Sequence, residues 1–352
     1  MVVPNKSKEG SQSRENTNES QVAGAYLEEP QQSKAVTRGI AFSSPREFIR
    51  HFTVVVALVV TVVIFAILRP HTFLALNNLE AILTSQAALF ALSLTLTVAL
   101  GAGEIDLSIG GVLGFSSVLI GYLSVTKGIP VVIALVISFI AILLVAAINS
   151  YLIVKIRVNG LIATLAMGTI LDGLSEAVSN SSTIGNIPSS ILKPMQARFL
   201  GIGTPFWYAV VIGIIIWYVL HHMQSGRFLY FTGEGREAAR LAGIRVNRIR
   251  TVSLFVSAIG AWFAGLIVLG QTGAAQAGTG DPYLLPAYAA TFLGAATIKP
   301  GRFNPIGTFV AVLLLAVGTT GLQLFGLSNW VTNVFDGAIL IVAIGLATLV
   351  GR

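Results

Sequence analysis

Uninterrupted apolar runs of membrane-crossing length govern what this chain can become. From Ile129 to Val154 there is not one charged side chain. A bilayer core of about 30 Å is crossed by roughly 20 such residues in a helix. Lipid offers backbone N–H and C=O groups no partner, so a crossing segment must bond within itself, as a helix does. The runs are too continuous for the alternating pattern of a membrane barrel strand. Comparable runs lie at 52–68, 81–101, 108–125, 161–178, 205–220, 251–269, 305–322 and 330–350, with a shorter one at 283–298 interrupted by Pro286. The fold expected is all-α: a polytopic transmembrane helix bundle of about ten spans, within about eight to eleven, some of them broken or short.

Composition excludes the other classes. Only 11% of the 352 residues are charged and 54% are hydrophobic, against about 25% charged in soluble domains. A soluble enzyme of this length could not wet its surface, and zero Cys excludes a disulfide-stapled fold. Residues 1–48 differ: they are rich in Ser, Gln, Asn and Glu, lack the apolar stretch of a signal peptide, and are expected to form a disordered cytoplasmic tail. Residues 49–352 form the membrane domain. The net charge of +7 reads as an orientation signal rather than a nucleic-acid surface. With ten spans and both termini on one side, only Arg69, Lys127, Lys193 and Arg198 of the 22 Lys/Arg fall on the other. The positive-inside bias then makes both termini, and the basic stretch Arg227–Arg250, cytoplasmic.

That stretch, within a loop expected over 225–250, is the most informative. It contains Gly226, Arg227, Gly233, Glu234, Gly235, Arg236, Glu237, Ala238, Ala239, Arg240, Leu241, Ala242 and Gly243. Residues 237–242 read as a short helix, with Gly233 and Gly235 permitting a tight entry turn and Gly243 a left-handed cap. Ala238, Ala239 and Ala242 would let another protein approach closely, whereas a purely solvated basic loop explains the charges but not the Gly and Ala placement. So short a helix is marginal alone in water and is expected to rest on a partner.

Glu104 and Asp106 end an apolar run, where carboxylates are costly unless they face water or partners. Asp106 can cap the following helix by accepting the amide of Ser108 or Ile109. Glu104 has less structural excuse and is a candidate for a pore or gate. Asp172 and Glu176, four apart, fall where a helix runs into the polar stretch Ser179–Thr183 and are read as an outer helix end. Asp336 is expected to pair inside the bundle, and Trp207, Tyr208, Trp217 and Trp330 to anchor the interface.

The stretch from Gly226 resembles the cytoplasmic coupling segment of permease subunits in the ribose-type ATP-binding-cassette (ABC) sugar importers. In that family a Gly-Arg-aromatic turn leads to Gly-Gly-Asn, Glu-Ala-Ala and Gly-Ile; here Gly233-Glu234-Gly235 replaces Gly-Gly-Asn. Gly103-Glu104-Ile105-Asp106-Leu107-Ser108-Ile109-Gly110 is similar to the signature between the family's second and third spans. Gly160-Leu161-Ile162-Ala163-Thr164-Leu165 is similar to its Phe-Ile-Ala-Thr-Leu helix start, and Gly301–Thr308 to a Gly-rich turn before the ninth span. The resemblance runs from about Asn77 to the C-terminus.

It implies a multi-pass permease subunit of the bacterial inner membrane, not itself an enzyme and without a cofactor. It would import a monosaccharide or related polyol, of the ribose, xylose or galactose kind. Implied partners are a second permease subunit (homo- or heterodimer), a cytoplasmic ABC ATPase docked on the coupling loop, an extracytoplasmic solute-binding protein and membrane lipid. Glu104, Asp106, Ser108 and Thr164 form the candidate path or gate. The chain has no Gly-x-x-x-x-Gly-Lys-Ser/Thr phosphate loop and no span-embedded His cluster, so neither ATP binding by that device nor a metal site is expected. The alternative is an ion-coupled secondary transporter working alone, with Glu104 and Asp106 as its ionisable groups; no second copy of their motif occurs in the C-terminal half.

Overall fold

A computed structural model describes residues 52–327 and 329–350. The tail expected over 1–48 lies outside them. Every expected apolar run is helical, and the chain order is α1 (Thr53–Leu68), α2 (Pro70–Phe73), α3 (Leu76–Ser85), α4 (Ala87–Gly101), α5 (Ile109–Gly121), α6 (Val131–Ser150) and α7 (Gly160–Ser179). Then come α8 (Ser189–Gln196), a two-residue hairpin of β1 (Arg198–Phe199) and β2 (Ile202–Gly203), α9 (Thr204–His222), α10 (Gln224–Glu234) and α11 (Arg236–Leu241). The rest is α12 (Val246–Thr272), α13 (Asp281–Ala295), α14 (Pro305–Leu324) and α15 (Asn329–Val350). Among the described residues, six helices are long and apolar enough to cross a membrane, or seven if the bent pair α3–α4 is one span.

The bundle is built around α4. Its sequence is apolar all round, and every residue from Ala87 to Gly101 is buried; such a helix belongs at the centre of a fold. Packed against it are α9, α12, α13 and α14. Two of its three hydroxyls are paired: Thr95 donates to the Ala91 and Leu92 carbonyls, whereas Ser93 Oγ has no hydrogen-bond partner among the described residues. Thr97 donates to the Ser93 carbonyl at 2.9 Å and lies 3.1 Å from Thr308 of α14. Outlying α6 and α9 instead carry exposed Val132, Ile133, Val136, Ile140, Ile214 and Ile215, the faces that lipid would cover. Because lipid is as apolar as these side chains, helix association rests on close packing and interhelical hydrogen bonds. Trp262 of α12 donating to Ser138 of α6 at 3.0 Å is one such bond.

Four local expectations change. The second span is bent by 45° at Gln86. No proline causes this; the Thr84 carbonyl at the break takes a hydrogen bond from Gln271 Nε2 (2.7 Å), while Thr84 Oγ1 accepts the Gly203 amide (3.0 Å). A break survives at membrane depth when neighbours satisfy the freed groups. Conversely, α13 runs unbroken through Pro286. Third, α12 starts at Val246, so Arg248 and Arg250 lie on the spanning helix rather than in a loop. Asp336, expected to pair, leaves Oδ1 without a hydrogen bond among the described residues.

Candidate functional site

One end of the bundle gathers the residues of 226–243 with Glu104, Asp106, Ser108 and Thr164. The segment after α9 is not a loop but two helices set at an angle. Gly226 opens this segment tightly against the end of α9, since a Cβ there would overlap the Leu220 backbone. Arg227 and Glu234 are exposed on α10. Gly233 makes no turn: it lies inside α10, and a Cβ there would run into the Gly101 carbonyl, so glycine brings α10 onto the last turn of α4 backbone to backbone. Gly235 is extended, at φ −170°, and caps α11.

The short helix expected over 237–242 is found at Arg236–Leu241, and it ends as the sequence suggested. Gly243 has φ +78°. Its amide bonds to the Arg240 carbonyl and that of Ile244 to the Ala239 carbonyl, both at 3.0 Å, the paired bonds of a Schellman ending. Ala239, however, is fully buried within the chain itself. The outward face is Glu237, Ala238, Arg240, Leu241 and Ala242. Leu241, to which the sequence assigns no role, is 90% exposed. Nothing local in the sequence marks it, because its exposure depends on which side of α11 meets the bundle.

Two ties hold this helical pair to distant parts of the chain. At one, Tyr230 donates to the Phe303 carbonyl at 2.6 Å, and Arg302 meets Glu234 at 2.9 Å. Burial pushes the Tyr230 phenol up to about 12, with nearby Arg302 opposing, so it remains a donor at ordinary pH. At the other, Arg236 Nη2 donates to the Gly103 carbonyl at 2.9 Å and to Glu104 Oε1 at 2.8 Å. Glu104 is 2% exposed. Arg250 of α12 grips it from behind, Nε on Oε1 and Nη2 on Oε2, the latter at 3.3 Å. Arg250 is buried too. A buried carboxylate between two guanidiniums is a costly charge made acceptable by charge-assisted bonds. The sequence hinted at Glu104 alone; its partners lie 132 and 146 residues away.

Asp106, Ser108 and Thr164 meet beside it in a polar knot. Asp106 Oδ1 accepts the Ser108 amide at 3.1 Å and the Ser108 hydroxyl at 2.5 Å. The acceptor is the expected one, although the residue adjoining α5 is Ser108 and Asp106 lies two before it. Burial pushes the Asp106 carboxyl up, and the Ser108 bonds oppose this. Asn149 of α6 donates to Ser108 Oγ at 3.0 Å. The Leu107 amide donates to Thr164 Oγ1 of α7, and the Asp106 amide to Tyr288 Oη of α13, each at 3.0 Å. The seven residues between α4 and α5 are thereby fastened to three further helices. Asn149 and Tyr288 were not foreseen, since neither stands in a motif.

Comparison with known proteins follows the same boundaries. Residues 78–344 match the family described as branched-chain amino acid transport system / permease component. The ribose import permease protein RbsC of Escherichia coli (strain K12) is 31% identical over 296 residues, covering 82% of this chain and 91% of that protein. The autoinducer 2 import system permease protein LsrD of Photorhabdus luminescens is 27% identical over 300 residues, covering 83% and 89%. A solved metal-chelate type ABC transporter in an inward-facing conformation shares the fold at a TM-score of 0.50 with 16% identity, over 83% of this chain and 97% of that one. On the family match and the ribose permease likeness together, the chain belongs to the permease components of this transport family.

Proposed function

We propose that this chain is the transmembrane permease subunit of an ABC importer for a monosaccharide or related small polar solute. It crosses the inner membrane ten times with both termini in the cytoplasm. A second permease subunit, identical or related, completes the path, and an extracytoplasmic binding protein delivers the solute. ATP is hydrolysed on a separate subunit that docks on α10 and α11. Glu104, Asp106, Ser108 and Thr164 form the cytoplasmic end of the path. The names of the relatives support the solute class: ribose import for one, autoinducer 2 import for the other. Those relatives are permeases of import systems, which favours a subunit over an ion-coupled carrier working alone.

The observation that carries the docking assignment is Leu241. On a capped helix outside the spans, a large apolar side chain 90% exposed, flanked by the small exposed Ala238 and Ala242, is a surface that burial against a partner would stabilise. Leu241→Asp would place an unpaired charge in that contact, at a cost of several kcal/mol. Tagged permease carrying it should insert and melt as wild type does, yet lose the ATPase on purification and lose uptake. Wild-type ATPase recovery and uptake in this variant would remove the docking assignment.

A further inference from the structure

The Arg236–Glu104–Arg250 triad has a geometry that a purely structural tie does not need. Arg250 alone gives Glu104 a bidentate partner inside the bundle. Arg236 adds a second guanidinium from outside: its side chain is 45% exposed, whereas that of Glu104 is 3%. It reaches from the first residue of α11 to both the carbonyl of Gly103 and the carboxylate of Glu104. The triad also borders a cavity of about 710 Å³, lined by Gly103, Glu104, Arg157, Arg236 and Arg250 among others. The polar contact therefore has room to move, while Glu104 itself is held.

What Glu104 stands in is the connection between α4 and α5, whose amides are unusually well accounted for. Those of Gly103 and Glu104 bond back into α4, at 3.0 and 2.9 Å. Those of Asp106, Leu107 and Ser108 bond to Tyr288, Thr164 and Asp106. A pull on Glu104 is thus a pull on a segment tied to α6, α7 and α13 together. We propose that Arg236 is the positioning residue that transmits displacement of α11 to this connection, with Glu104 as its point of purchase and Arg250 as the clamp behind it. The proposal rests on the docking reading above, and concerns what happens after docking.

The test uses the full-length permease with its ATPase bound, in nanodiscs, with ATP and orthovanadate as the probe and amide hydrogen exchange as the readout. In the wild type, trapping the ATPase should change exchange of the Gly103–Ser108 amides about fivefold or more, the lower end of an ordinary coupling between sites. Arg236→Gln leaves Glu104 paired with Arg250, so the bundle should melt unchanged, the ATPase should stay bound, and the exchange response should vanish. Arg236→Lys should restore part of it, since its ammonium keeps the charge and can donate to both oxygens as the one Nη2 does, but from a shorter, more flexible stem. A full response in Arg236→Gln, or none in the wild type, overturns the proposal. So does loss of the ATPase from Arg236→Gln, which would make Arg236 a docking residue, or loss of folded protein in both variants, which would make it a structural tie. Leu241→Asp run beside them separates the two readings: if that variant keeps its ATPase, docking elsewhere is the error and not the strut.

Discussion

Asp106 separates the two things a buried carboxylate can do. Its Oδ1 accepts two bonds from Ser108, a geometry that an amide oxygen reproduces. Asp106→Asn should therefore fold with near wild-type melting temperature and retain much of its transport. Asp106→Leu cannot accept at all, and should lose about 0.5–2 kcal/mol, as for an ordinary lost cap, plus the penalty for leaving Ser108 unpaired in a buried site. Thermal melting in detergent reads both. A well-folded Asn variant without transport would show that the negative charge, rather than the turn it makes, is what the protein uses. The turn was legible in the sequence because donor and acceptor are two residues apart. The neighbouring Glu104 was legible only as an unexplained carboxylate, because its two arginines come from elements far along the chain and one of them belongs to a spanning helix. An arginine that close to an apolar run reads as a loop charge until its partner is known.

At the scale of elements, the apolar runs fixed where helices form to within a few residues, because length and lack of charge are themselves the physical cause. The small cap helix was equally legible: Gly243 sits where a left-handed residue is needed. Gly243→Val should strain that ending by about 1–3 kcal/mol. The expected result is lost exchange protection at the Gly243 and Ile244 amides, with an unchanged melting temperature for the bundle; intact protection would show that the cap tolerates a branched side chain. Other features left no local trace. Gly233 reads as a turn in the sequence because a glycine that allows close approach looks the same there as one that allows a bend. The 45° break at Gln86 carries no proline or glycine of its own and depends on Gln271 arriving from another helix. Of the three alanines read as the outward face of α11, the structure turns Ala239 inward and keeps Ala238 and Ala242 exposed beside Leu241.

For the whole molecule, orientation is the property on which the rest hangs. The chain has no Cys, so single cysteines can be introduced one at a time. Ser181 and Gln196 are exposed beyond the end of α7, while Ser225 and Lys299 are exposed at the opposite, arginine-rich end. Cysteine at the first two should react with an impermeant reagent in intact cells, and at the last two only after permeabilisation. Outside reaction at Ser225 would invert the topology and remove the coupling site from the cytoplasm. The ties described at α10 and α11 also set an order of events. Arg236 finds Glu104 upstream, already made, but Tyr230 must wait for Phe303, 73 residues downstream. During synthesis the α10–α11 pair is therefore held on one side only until α13 has been made and the chain has turned back. A permease stalled or clipped before that point would lack the second fastening of this helical pair, so the same bond that steadies the mature subunit would also report that the chain has been built through α13.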